Sequence, residues 1–147
     1  VEMTNTTIAN TGEKAATIFR TNTKQGNVSL VVKNCTFYNL FSGEALMRDI
    51  IGSTNSFTAE NILFAGSGSV KIFNKTSDAP GIINGSKIYS SLDLTVANAG
   101  EVSTTALSYS SSQLFPNASS STDVLDLTFG ADIPNEVKII GDPRWNK

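Results

Sequence analysis

Val31-Val32-Lys33-Asn34-Cys35-Thr36-Phe37-Tyr38-Asn39 decides the fold, because its pattern recurs on both sides at a nearly constant interval. Written as apolar, any, Asn, any, any, apolar, it occurs as Met3-Thr4-Asn5-Thr6-Thr7-Ile8, Val32-Lys33-Asn34-Cys35-Thr36-Phe37 and Ala59-Glu60-Asn61-Ile62-Leu63-Phe64. A weaker fourth copy, Ile83-Asn84-Gly85-Ser86-Lys87-Ile88, carries Gly85 in the Asn place. The closing residues Ile8, Phe37, Phe64 and Ile88 lie 29, 27 and 24 residues apart, and a period of this size marks a stacked or solenoidal fold.

Helical periodicity is absent over any three turns, while β-branched residues and Gly/Asn/Ser breaks run throughout. Each repeat accommodates three short strands. In the second coil these are Val28 to Lys33, then Cys35 to Tyr38 after a tight bend at Asn34, then Ala45 to Arg48 after a loop from Asn39 to Glu44. The third strand has its own register. Ala16-Thr17-Ile18-Phe19-Arg20, Leu46-Met47-Arg48, Ile72-Phe73-Asn74 and Val96-Ala97-Asn98 place Ile18, Leu46, Ile72 and Val96 at intervals of 28, 26 and 24. Two columns shrinking together are expected where coils stack and only loops vary. The prediction is an all-β parallel β-helix of about 3.5 coils, 24–29 residues each, over residues 1–99.

The bend residue has a physical reason. Asn tolerates positive φ, and its side-chain amide can bond to the Asn stacked on it one coil away. Asn5, Asn34 and Asn61 are therefore expected to form a structural ladder rather than a catalytic set. From about Gly100 the repeat fades into Ser/Thr-rich stretches, followed by an alternating segment Val124 to Phe129 and a short Val137 to Ile140, both read as strands. An open solenoid end exposes strand edges and core, so a cap is required. Residues 100–147 are expected to supply it within the same domain, with Trp145, the single tryptophan, as plug or anchor.

The 147 residues are 39 % hydrophobic, enough for one domain with a real core. Only 16 % are charged and the net charge is −2, which excludes the electrostatic footprint of a nucleic-acid or acidic-membrane binder. No histidine is present, so a histidine base or metal ligand is excluded, and the one cysteine, Cys35, leaves no internal disulfide and reads as a buried filler. No run is long enough to insert directly into a bilayer. Abundant Asn, Ser, Thr and Gly with sparse Lys and Glu suit a secreted or cell-surface β protein. The start at Val1, inside a repeat, reads as a processed product or a piece of a longer chain, continuous with further N-terminal coils or with another component. Six Asn-x-Ser/Thr sequons begin at Asn5, Asn27, Asn34, Asn74, Asn84 and Asn117, only slightly more than the composition produces by chance.

Short coils with an Asn bend and three strands per turn resemble the right-handed parallel β-helix of the pectate-lyase-like superfamily. The ending Ile140-Gly141-Asp142-Pro143-Arg144-Trp145 is similar to the closing motif of secreted or surface lipoproteins of Bacteroidetes gut bacteria, β-helical proteins associated with polysaccharide utilisation. The resemblance implies a pectin-lyase-like fold, an extracellular or outer-membrane location with lipoprotein anchoring through a preceding region, and a polysaccharide or glycan partner. Members are longer and carry more coils, so the resemblance implies that this chain is the C-terminal part of a larger protein.

Lyases on this fold use a carboxylate cluster for calcium with an Arg or Lys base, and hydrolases use paired carboxylates. The thirteen carboxylates here recur in no column, and the nearest pair, Glu44 and Asp49, sits at opposite ends of one strand. No metal or other cofactor is therefore expected, with calcium relevant only to a lyase. In the third-strand column Arg20 and Arg48 are equivalent, followed by Asn74 and Asn98. Adjacent strands are about 4.8 Å apart, which suits two carboxylates of an acidic sugar chain; a simple pairing of Arg with Asp49 is the plainer alternative. If Ile18, Leu46, Ile72 and Val96 point inward, Phe19, Met47 and Phe73 form an outer apolar stripe on which sugar rings or the chain's own cap could lie. The reverse parity puts the phenylalanines inside. The function expected is non-catalytic glycan binding, with a polysaccharide lyase or hydrolase fragment, or a structural assembly module, as alternatives.

Overall fold

The computed structural model describes residues 1–11, 17–20, 27–98, 102–118 and 124–147, with Thr76 described for its backbone alone. It is a parallel β-solenoid. Four long strands, β1 (Glu2–Ala9), β3 (Ser29–Tyr38), β5 (Gly52–Ala65) and β7 (Pro80–Ser90), stack in one sheet that ends on the short β9 (Thr105–Ala106). Four short strands, β2 (Thr17–Arg20), β4 (Ala45–Arg48), β6 (Gly68–Phe73) and β8 (Leu94–Ala97), stack in the second. Every pairing is parallel. No described helix is long and apolar enough to cross a membrane.

The three expected segments per coil are present, two of them continuous as one bent strand. Asn5, Asn34 and Asn61 hold φ of 49°, 51° and 55°, and the pairing register passes over each of them. A left-handed residue in a strand turns the chain and resets its alternation. Val32 faces inward before the bend, and Cys35 and Phe37 face inward after it, all 1 % exposed or less. The ladder forms as expected: Asn34 Nδ2 donates to Asn5 Oδ1 at 3.2 Å and Asn61 Nδ2 to Asn34 Oδ1 at 3.0 Å. A second ladder lies at the far end of the long strands, where Asn39 Nδ2 donates to Asn10 Oδ1 at 2.9 Å and both residues have positive φ. Its signal was in the sequence, since Asn10 and Asn39 repeat the 29-residue spacing of Asn5 and Asn34. Inside, Phe37 stacks on Phe64 with centroids 5.0 Å apart, close to the strand spacing itself.

The fourth coil differs from the expected register. Glu60 pairs with Ser86 and Ile62 with Ile88, so Lys87, with φ 53°, occupies the Asn place instead of Gly85. The last interval is then 26 residues, matching the 26 between the paired Val70 and Val96. A slip of two residues keeps every side chain on its face, so alternation alone does not detect it.

The described C-terminal region covers the solenoid in two ways: residues 102–106 meet its end, where β9 pairs with β7, and residues 107–118 and 124–147 lie along its side. Leu63 and Ala65, on the outer face of the bent sheet, join Leu114, Phe115, Leu127, Phe129, Ile133, Val137 and Ile140 in a second core separate from the solenoid interior. The expected strand at 124–129 is irregular chain, and that at 137–140 is replaced by a helical turn, α2 (Asn135–Lys138). Pro134 precedes that turn, and the i, i+3 pair Val137 and Ile140 both face the second core. Trp145 reaches back to the first coil, its Nε1 donating to Thr7 Oγ1 at 2.7 Å. The end of the interior is met by Val102, buried in the solenoid core and packed beside Gly85.

Candidate functional site

Four-residue strands of the second sheet bring the expected column together in part. Arg20 and Arg48 are Cα partners on β2 and β4, and the next position of the column is Asn74, whose backbone N–H donates to Met47 O at 3.0 Å. The Asn74 side chain turns to the buried Asp78, its Nδ2 donating to Oδ2 at 3.2 Å across the 3-10 turn Thr76–Asp78. Asn98 does not join. Lys71 pairs with Ala97, which places Asn98 level with Ile72, two residues out of the Arg20, Arg48 and Asn74 column.

Between the two guanidinium groups stands one carboxylate. Asp49 Oδ2 accepts from Arg20 Nε at 3.1 Å and lies 3.7 Å from Arg48 Nε. Asp49 reaches this position from a backbone φ of 61°, immediately after the strand ends. Among the described residues, these two cations share this one anion, an excess of one positive charge. Among the described residues, Arg48 Nε is the one buried side-chain nitrogen or oxygen with no hydrogen bond. The Arg20 and Arg48 side chains are 54 % and 36 % exposed, so both remain open to a ligand.

The aromatic platform is overturned. Phe73 is 1 % exposed and packs edge-on to Phe57 inside the solenoid, with centroids 5.8 Å apart and planes at 82°. Met47 is fully buried, Leu46 and Ile72 are buried in the same core, and Phe19 packs against it. In β4 and at the end of β6 both parities lie in the interior, whereas Ala97 on β8 is exposed. Phe19 instead helps to line a small apolar cleft of about 80 Å³ with Val1, Arg20, Val28, Leu30 and Ile50.

Glu44, Asp93 and Asp142 are engaged in structure. Glu44 is 2 % exposed and accepts from the Thr11 hydroxyl and the Phe41 N–H, tying the first coil to the second. Asp93 accepts from the backbone N–H and the hydroxyl of Ser111; burial opposes its charge, but these bonds outweigh it and hold its carboxyl below the usual range. Ser111 is itself buried and receives the Gly66 N–H at 2.6 Å, so this network joins the lateral cover to the third and fourth coils. Asp142 is 0 % exposed. Burial alone would raise its carboxyl, yet hydrogen bonds from Arg144 and Thr7 keep it below the ordinary value. Among the described residues no three His, Cys, Asp or Glu side chains gather as a metal site. Cys35 is buried, and burial first, then the Asp142 carboxylate, pushes its thiol above the ordinary value despite a backbone hydrogen bond from Thr6.

Neither the known protein families nor the curated proteins nor the solved structures offer a match to this chain.

Proposed function

We propose that this chain is a non-catalytic, extracellular β-solenoid domain that binds an acidic polysaccharide through Arg20 and Arg48. The observation that carries the reading is their register: two guanidinium groups in one column, one strand apart, sharing the single carboxylate of Asp49. Stacked strands repeat at about 4.8 Å, so the pair presents two planar donor forks to an anionic chain laid across the coils. A ligand carboxylate would complete the charge balance that Asp49 leaves at plus one. The pectate-lyase-like resemblance and the Ser/Thr/Asn-rich composition favour placement outside the cell, where such polymers are met.

The test is affinity electrophoresis in gels containing polygalacturonate, other acidic polysaccharides or neutral ones. Retardation is expected in acidic gels, decreasing with salt, and it should be relieved in the Arg20→Gln/Arg48→Gln double variant. Unretarded migration with every acidic polymer would sink the reading. Release of unsaturated products would overturn its non-catalytic part.

A further inference from the structure

The lateral cover contains a cleft of about 270 Å³ that the arginine column does not use. Its walls are two short turns of chain, residues 109–116 and 130–133. Gly130 sets how closely they approach: its N–H donates to Leu114 O at 2.9 Å, and a Cβ built there would lie 2.8 Å from Gln113 O. Any other residue would push the walls apart. One wall is held by the capping box of helix α1 (Ser111–Leu114), in which Ser110 N–H donates to Gln113 Oε1 at 2.8 Å. The other is a turn closed by the Ile133 N–H on Gly130 O, with Lys138 Nζ reaching Ala131 O at 3.5 Å.

The cap occupies only the oxygen of the Gln113 amide. Among the described residues, the Gln113 amide nitrogen, the Tyr109 hydroxyl and the Asp132 carboxylate hold no hydrogen bond, and all three residues line the cleft. Pro116 and Ile133 supply the apolar part of the lining. Donors and an acceptor around an apolar patch match the C–H face and hydroxyl rim of a sugar ring. A volume just below the roughly 300 Å³ of drug-sized sites fits one ring and not a chain. Among the described residues, the one charge in the lining is the Asp132 carboxylate, which disfavours an acidic sugar, while the Lys138 ammonium is engaged with Ala131 O.

We propose that this cleft binds a single neutral sugar residue, with Asp132 and Gln113 on ring hydroxyls and Tyr109 closing one side. The site stands independently of the arginine column. Saturation-transfer NMR titrations with neutral monosaccharides and their methyl glycosides test it, with galacturonate as the acidic control. Saturable binding of a neutral sugar is expected, weakened about tenfold or more in Asp132→Ala and severalfold in Tyr109→Phe. It should be unchanged in Arg20→Gln/Arg48→Gln. Thermal unfolding and far-UV circular dichroism show that each variant is folded. Absence of neutral-sugar binding, binding indifferent to Asp132→Ala, or preference for galacturonate would overturn the proposal.

Discussion

The indole of Trp145 donates to the hydroxyl of Thr7 at 2.7 Å, joining residues 138 positions apart and tying the end of the cover to the first long strand. The same hydroxyl donates to Asp142 Oδ2 at 2.7 Å, so indole, hydroxyl and carboxylate form one chain of bonds. Asp142 N–H donates to Thr36 Oγ1 at 2.9 Å on the second coil, and Asn61 on the third exchanges bonds with Ile139 O and Gly141 N–H. The closing motif is therefore a clasp across three coils. Thr7 and Thr36 are equivalent in the repeat, and Asn61 lies two residues before their equivalent, Leu63.

Asp142 makes this clasp sensitive to acid. Its native carboxyl lies below the ordinary value because the hydrogen bonds from Arg144 and Thr7 outweigh burial. A depressed native pKa contributes stability that is present above the unfolded value of about 3.9 and lost as pH falls through the native one. Denaturant unfolding between pH 7 and pH 2 should show that loss beginning near pH 4, and Asp142→Asn should flatten it. At neutral pH, Asp142→Ala should destabilise by about 2–3 kcal/mol, the scale of hydrogen bonds to a charged group.

Gly141 sets the approach of the clasp. Its φ is 82°, and a Cβ there collides with Thr36 Oγ1 and lies 3.1 Å from Leu63 Cβ. Gly141→Ala combines a left-handed alanine, about 1–2 kcal/mol, with overpacking of about 1–3 kcal/mol. The expected loss in chemical denaturation is about 2–4 kcal/mol, and Thr36→Ser should not relieve it because the hydroxyl is retained. A neutral Gly141→Ala would mean that the clasp does not lie this close to the sheet.

What could be read before the structure follows from where the physical signal is unique. Asn at a strand bend is nearly dictated by positive φ, so Asn5, Asn34 and Asn61 announced both the bend and the ladder. Arg20 and Arg48 followed from the same register. The lateral cover did not, although Ile62-Leu63-Phe64-Ala65 is a continuous apolar run, the mark of a strand buried on both faces. The inner pair Ile62 and Phe64 explained the solenoid, and the outer pair Leu63 and Ala65 called for a partner. The phenylalanine stripe misled because alternation was applied where β4 and the last residues of β6 are buried at both parities.

Cys35 reports on the integrity of the interior. It is 0 % exposed, beside the ladder, and burial raises its thiol. A raised native pKa keeps the reactive thiolate scarce, so modification should require opening of the coil. In native buffer a disulfide reagent should react orders of magnitude more slowly than with a free thiol, and at the full rate in denaturant. Asn34→Gly keeps the positive φ of 51° but removes the ladder bonds to Asn5 and Asn61. It should therefore speed the native reaction less than Asn34→Ala, which adds a backbone penalty of about 1–2 kcal/mol. Equal acceleration would mean that φ is not limiting at this bend.

Lys87 offers a gain instead of a loss. It holds the ladder position of the fourth coil at φ 53° with a side chain that cannot continue the amide stack. Asn61 Oδ1 already accepts from Gly141 N–H at 3.3 Å, and a carbonyl oxygen has a second lone pair available to an amide stacked below it. Lys87→Asn should thus stabilise the chain by about 1 kcal/mol, from one more amide bond and a residue more tolerant of the left-handed region. Gly85→Asn is the control, since the pattern of apolar residues alone would place the rung there. A Cβ at Gly85 meets Ile88 Cδ1 and Val102 Cγ1 at 3.3 Å each, so that substitution should destabilise by crowding the end of the solenoid core. If Gly85→Asn stabilises and Lys87→Asn does not, the last coil is registered two residues away from the pairing described above.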